Sequence, residues 1–459
     1  MSSRALADNP AMPGTDYDIV IVGARCAGAT LATFLARSGA RVLLLDAHAM
    51  PSDHVISTHS INPPGMDVLD ELGVGDRVRA IAPPSRIIRS VFEETCGEIE
   101  MPEGRAIYGP RRHRLDELLQ HAAVSAGAHL MDRTRAVSLL YDGDRVRGVR
   151  TNCGGRDREF TAGLVVGADG RHSSVARWVG AEEYLGYDAP RACYWGYWNA
   201  PGFWKTDPAY RFDMYFSIIK GVVRIIFQTD HDQLLVGTCP PADRIDAWRS
   251  DPSGMLEAVL AGDPTIAPLI QASPREGKVR GTIRERYYFR RAAGNGWALV
   301  GDAGHHKDFA VGDGITEALL QARSLAGAIA VGTDAALVHW WRARDVAALP
   351  MYFMGREIGD IKPPVELQRI VFDRLNTVPG LKERLVEVIE RRLSPLDSIS
   401  ALQFLRWVGL AALQGRWGVF EELRVAAPRA VATTLEMRAR TRLLARAESE
   451  IARENRAAA

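Results

Sequence analysis

The sequence predicts an α/β fold in which a parallel sheet opens with a strand-helix-strand unit, an antiparallel sheet is inserted, and residues 346–459 are helical. Three observations carry this. Residues 17–46 read strand, helix, strand. Two later apolar runs, in 164–180 and 297–329, end in glycine-rich acidic turns followed by helices. Between them, residues 191–239 hold three or four strands separated by turn residues.

In the first unit, Ile19 to Val22 form an apolar run ending at Gly23. A small-residue helix runs from Ala27 to Arg37, Gly39 stops it, and Val42 to Leu45 repeat the apolar run. Strands this continuously apolar are buried on both faces. The unit has Rossmann character: Asp46 closes the second strand, where an acid binds an adenosine ribose, and the helix N-terminus faces a pyrophosphate. Gly23 permits the tight turn and Gly28 the close helix packing, while Arg25 stands where a middle glycine is usual. A phosphate-binding P-loop is excluded because Ala29 occupies its lysine position. Without a ligand, the same residues make a tightly packed βαβ unit.

Residues 86–101 read as a hairpin turning at Cys96-Gly97, and 108–123 as a leucine-rich helix behind Arg111 and Arg112. Residues 128–163 alternate as strands turning at Asp142-Gly143 and Gly154-Gly155, and 191–239 turn at Lys220-Gly221 and near His231-Asp232. Beyond Pro350 leucine, arginine and alanine dominate, as in helices.

With 459 residues and 47% hydrophobic content, the chain needs two or three packed units. A balance of 57 basic and 56 acidic residues leaves no general field for a nucleic acid, and no local patch replaces it. The five cysteines, Cys26, Cys96, Cys153, Cys193 and Cys239, lack the spacing of a metal knuckle or redox pair, which predicts no metal and a reducing cytoplasmic setting. Residues 1–15 lack the apolar core of a signal peptide and read as a flexible tail, and no segment is long enough to span a membrane.

The ordered motifs together resemble the aromatic-hydroxylase-like flavoproteins, the group A FAD monooxygenases, over residues 16–345. The resemblance implies a Rossmann-like FAD-binding domain of glutathione-reductase type, assembled from residues 16–80, 104–180 and 280–345. An inserted β-sheet substrate domain takes 81–103 and 181–279. Gly23, Gly28 and Asp46 match the ADP-binding fingerprint, with Arg25 expected beside the pyrophosphate or flavin. Asp169 and Gly170, with Ser174 and Arg177, match a motif linked to FAD and nicotinamide. Gly301, Asp302 and Ala303 match the ribityl-binding motif, with Gly312 and Gly314 ahead of the helix facing the pyrophosphate. Arg112 keeps the family's spacing for an FAD-reaching arginine, with Arg111 and Arg114 as alternatives. Arg25, the Ser57-Thr58-His59 segment and the His306-Lys307-Asp308 segment recur in a subgroup, and Phe309 replaces the usual proline.

The implied activity is FAD-dependent oxygenation, by hydroxylation or epoxidation, of a hydrophobic aromatic or polycyclic small molecule with O2 and NAD(P)H. No second glycine fingerprint provides a separate nicotinamide domain. Trp195, Tyr197, Tyr210, Phe212 and Tyr215 are candidates to line the substrate pocket, unless they only fill a sheet-helix core. His59, His306 and Lys307, with His305, are candidate bases. Halogenation is disfavoured because no lysine precedes Lys205 and the halogenase tryptophan signature is absent. The alternatives are a reductase of isoprenoid double bonds, of the geranylgeranyl reductase kind, and a flavin-binding scaffold without turnover. Phe404, Trp407, Val408, Leu410 and Leu413 either cap the cavity, form a seam between two copies in a homodimer, or pack on the main body.

Overall fold

The computed structural model describes residues 15–51, 57, 59–360 and 364–458. Thr58 and the tail reading of residues 1–14 lie outside the described residues.

Strand β1 (Tyr17–Val22) is flanked in parallel by β2 (Val42–Leu45) and by the strand Arg156–Gly167, whose far neighbour is Trp297–Leu299. The run Ile19 to Val22 is buried, as its lack of polar residues demands. The sheet continues through β2 to His129–Met131. Helix α1 (Cys26–Arg37) packs against the helices Arg112–Ser125 and Gly314–Val331. This strand order sets the carboxyl ends of β1, Arg156–Gly167 and Trp297–Leu299 side by side. The three glycine-rich turns, far apart in sequence, meet at the edge where open α/β sheets bind ligands.

A seven-stranded sheet runs Arg275–Thr282, Cys193–Asn199, Gln233–Thr238, Val222–Gln228, Met214–Ile219, Ile87–Phe92, Thr95–Glu100. The hairpin of its last two strands turns at Glu93-Glu94, which corrects the expected turn at Cys96-Gly97. Glu93 takes the left-handed conformation, while Gly97 lies in the strand opposite Ser90. Gly97 serves packing instead, since a Cβ there would lie 2.4 Å from Leu375 Cδ2.

Alternation divides the side chains of this sheet between two faces. Tyr194, Trp198, Tyr215, Ile226 and Leu234 pack under the short helices between Ile245 and Ala272. Cys193, Trp195, Ile225, Leu235 and Cys239 form the other face, against which Tyr197, Phe216, Phe227 and Phe309 pack. A three-stranded sheet, Glu183–Asp188, Arg286–Arg290 and His305–His306, adjoins the third glycine turn.

The C-terminal region is helical: Asp334–Ile358, Val365–Leu375, Leu381–Ile389, Ala401–Leu413 and Gly418–Ala458. Trp407 and Val408 are buried with Leu367 and Ile370, and Phe404 packs on that cluster, whereas Leu410 and Leu413 are exposed. Among the described residues no helix is long and apolar enough to cross a membrane.

Candidate functional site

A cavity of 910 Å³ opens at the carboxyl ends of the parallel strands and is lined by all three glycine-rich turns. At its first turn Gly23 has φ +107°, and a Cβ there would lie 2.4 Å from the Ala168 carbonyl oxygen. Gly28 is tighter still: a Cβ would come within 1.8 Å of the Gly23 carbonyl oxygen. The glycines thus let α1 start against the end of β1. Its first turn carries no acidic residue, and Arg25, at the N-cap, lines the cavity and makes no capping hydrogen bond. Unpaired amides and a nearby guanidinium make this end of the cavity attractive to an anion.

Asp46 is buried at the same end. Its Oδ2 accepts from Ala24 N (3.1 Å) and its Oδ1 from His48 N (2.9 Å), so the acid also ties the turn to β2. The His48 ring stands 3.3 Å from Oδ1 and lines the cavity. Sequence reasoning passed over His48, although its place two residues beyond the acid was a usable signal.

Arg112 lines the cavity. Its Nη2 donates to both oxygens of the fully buried Asp116 at 3.1 Å, and its Nε is a buried donor without a partner among the described residues. Burial opposes its charge, but Asp116 outweighs this, with smaller help from Asp302. Arg111 is committed instead to Asp230 at 2.9 Å, and Arg114 is 44% exposed beside Glu117, so of these three arginines Arg112 is the one that lines the cavity. Asp302, Gly301, Gly170, Gly312 and Gly314 all line the cavity. Asp169 does too, but its carboxylate is bonded to Ser173 Oγ, Ser174 N and Val175 N, capping the helix Ser174–Trp178. Burial pushes the Asp169 carboxyl up, against these hydrogen bonds.

A buried charge cluster forms the next part of the wall. Lys307 Nζ donates to Asp313 Oδ2 and Glu317 Oε2, each at 2.6 Å. Burial pushes the Glu317 carboxyl up, but Lys307 and Arg391 outweigh it and hold the group well below the usual carboxylate range. This corrects the reading of Lys307 as a base: its Nζ is committed to two carboxylates. His59 is corrected as well. It is buried, its Nε2 lies 2.6 Å from Tyr197 Oη, and burial followed by the charge of Arg112 lowers its pKa to about 3, so it is neutral and weakly basic at pH 7. Burial likewise pushes His305 well below the usual histidine value. His306 differs: its Nδ1 donates to the Arg286 carbonyl oxygen at 3.0 Å, and its half-buried ring lines the cavity.

Of the candidate pocket aromatics, Trp195 lines the cavity, and Tyr197 shares its sheet face and meets His59. Tyr210, Phe212 and Tyr215 are corrected: they lie in the core under the short helices, where Tyr215 Oη donates to Asp263. Tyr215 has the opposite parity from Phe216, which packs on the cavity-side face together with Phe227. Phe227 is an aromatic of this face that the sequence reading missed.

These residues fit FAD. The glycine turns clear an approach to the α1 amides, Asp46 ends β2, and the orphaned Arg112 Nε needs an acceptor. The fold and site define an FAD-dependent oxidoreductase of the α/β class. Residues 16–332 match the family described as FAD binding domain, and the chain belongs to that family. It is similar to a digeranylgeranylglycerophospholipid reductase of Methanosarcina acetivorans, 28% identical over 66% of this chain and 72% of that protein. It is also similar to the 6-methylpretetramide 4-monooxygenase of Streptomyces rimosus, 30% identical over 37% of this chain and 42% of that one. Among solved structures, a flavin-dependent brominase superposes with a TM-score of 0.69 at 17% identity, covering 87% of this chain and 99% of its own. Aklavinone-11 hydroxylase, in complex with FAD and aklavinone, gives 0.60 at 20% identity, covering 76% of this chain and 69% of its own. At these identities the structural likenesses concern the fold.

Proposed function

We propose that the chain is a monooxygenase that places one atom of O2 on a hydrophobic, aromatic or polycyclic small molecule, with NAD(P)H as reductant. The observation that carries this reading is the apolar sheet face that meets the FAD cavity: Trp195, Cys193 and Phe309 line it, and Tyr197, Phe216 and Phe227 pack on the same face behind them. Bound FAD supplies the redox chemistry and the activation of oxygen.

The chain's own residues do the rest. Arg25 and the α1 amides hold the diphosphate, Asp46 the ribose, and Arg112 and Asp302 the central part of the cofactor. Gly312 and Gly314 leave room at the head of the helix Gly314–Val331. Trp195 and its neighbours offer a flat apolar wall that stacks a planar substrate and excludes water. Of the three candidate bases, His306 is the one left to take a substrate hydroxyl proton, through Nε2, because His59 is held at a pKa of about 3 and Lys307 is ion-paired. The test is a panel of phenols, quinones and polycyclic aromatics assayed for stimulation of NAD(P)H oxidation. His306→Asn should lower the maximal rate on phenols more than on substrates without an ionisable hydroxyl.

A second reading, reduction of isoprenoid double bonds, is favoured by the relatives whose names are digeranylgeranylglycerophospholipid reductase. The same cavity and apolar wall serve it, and anaerobic product formation distinguishes it. The halogenase-like fold of the brominase does not extend to its chemistry here, since the chain lacks both halogenase marks.

A further inference from the structure

We propose that Arg391, from the C-terminal helical region, is a positioning residue of the cofactor cavity: it holds the Lys307 ammonium and the first turn of helix Gly314–Val331 in a charge-balanced arrangement at the FAD-facing wall. The proposal rests on the FAD reading of the cavity.

Arg391 follows the helix Leu381–Ile389 and takes the left-handed conformation, φ 58°, which a non-glycine residue adopts at a cost. Its side chain is 18% exposed and reaches back across the molecule. Nη2 contacts Asp313 Oδ2 and lies 2.7 Å from Glu317 Oε2, the same two oxygens that Lys307 Nζ holds. The remaining oxygens are also used. Asp313 Oδ1 accepts from Asn62 Nδ2 (3.0 Å) and Glu317 Oε1 from Gln321 Nε2 (3.0 Å). Gln321 Oε1 accepts in turn from Gly301 N (3.0 Å), the residue before Asp302. A continuous set of bonds therefore runs from the C-terminal region to the third glycine turn.

Lys307, Asp313 and Glu317 line the cavity and Arg391 does not, so it acts through them. The cluster holds two cations and two anions. Without Arg391 it carries one uncompensated negative charge in a poorly solvated wall. That charge opposes binding of a diphosphate-bearing anion, and it opposes the gain of negative charge when the bound cofactor is reduced. A merely structural salt bridge would link neither property to the sign of the cluster.

The test uses the full chain with Arg391→Met, Arg391→Lys and the double variant Arg391→Met with Glu317→Gln. The readouts are FAD affinity by fluorescence titration of apoprotein, the midpoint potential of bound FAD against redox dyes, and apoprotein melting. Arg391→Met should weaken FAD by about tenfold, the order expected of one uncompensated charge acting through a poorly solvated wall, and lower the potential. Arg391→Lys should stay close to wild type. The double variant, neutral again, should recover most of the affinity and potential even if its melting temperature stays low. Wild-type affinity and potential in Arg391→Met would overturn the proposal, and so would a double variant as impaired as the single. Should Arg391→Met fail to fold, the double variant decides on the same two readouts. If that fails too, Arg391 is structural only and the proposal falls. A wild-type chain that does not bind FAD would instead remove the cofactor reading itself.

Discussion

Arg112→Met separates two tasks that one guanidinium performs. The side chain, which lines the cavity, neutralises the fully buried Asp116 through two bonds of 3.1 Å, and its buried Nε has no partner among the described residues. Removing it leaves an uncompensated buried carboxylate, a change that costs about 3–5 kcal/mol. Urea denaturation of the apoprotein should show a loss of that size. Adding Asp116→Asn removes the stranded charge and should recover stability to within about 1 kcal/mol of wild type. FAD affinity should not follow, because the charge-assisted donor is still missing. Its loss, about 1.5–3 kcal/mol, predicts a Kd raised about 10- to 100-fold in fluorescence titration of the double variant. A double variant that is stable and binds FAD normally would show that Arg112 serves Asp116 alone, and the assignment of this part of the cavity to FAD would lose its main support.

Gly28→Ala forces a Cβ to within 1.8 Å of a backbone oxygen with no flexible side chain to yield. It should cost about 1–3 kcal/mol or more in melting experiments and give a protein purified without its yellow colour. Arg25→Ala should leave melting of the apoprotein unchanged, since the side chain makes no capping bond, while raising the FAD Kd several-fold in the same titration. His59 yields a pH prediction. Its folded pKa, about 3, lies below the ordinary 6.5, so between those values the unfolded chain binds a proton that the folded chain does not, and stability falls as pH falls. At pH 5 the penalty is about 2 kcal/mol, and His59→Gln should remove that part of the loss when urea midpoints at pH 7.5 and pH 5 are compared.

What was legible in the sequence depended on how local the signal was. The βαβ unit was plain because Ile19 to Val22 and Val42 to Leu45 are apolar on both faces and Gly23, Gly28 and Asp46 sit within one unit. The convergence of the other two glycine turns came from a family resemblance, and strand pairing brings them to one edge. The aromatic wall was only half legible. Trp195 and Tyr197 share a parity within one strand, but the face of Tyr215 relative to them depends on a register across three strands, Tyr215 opposite Ile226 and Ile226 opposite Val236. Tyr210 and Phe212 precede their strand, and no alternation places them. The roles of His59 and Lys307 were hidden because burial and ion pairing, not residue type, decide proton affinity. Arg391 lay furthest from reach: it stands 78 residues from Asp313 in an arginine-rich helical region, and nothing nearby marks it.

The central claim is that the FAD cavity and its apolar wall perform oxygenation. It is tested most directly by running the reaction under 18O2 with the best stimulator of NAD(P)H oxidation and weighing the product by mass spectrometry. Oxygenation predicts one 18O atom per product molecule and no product under anaerobic conditions. A product formed without oxygen and heavier than the substrate by two hydrogens would make the chain a double-bond reductase on the same scaffold. An oxidised product without label would make it a dehydrogenating oxidase, and either result would contradict the account.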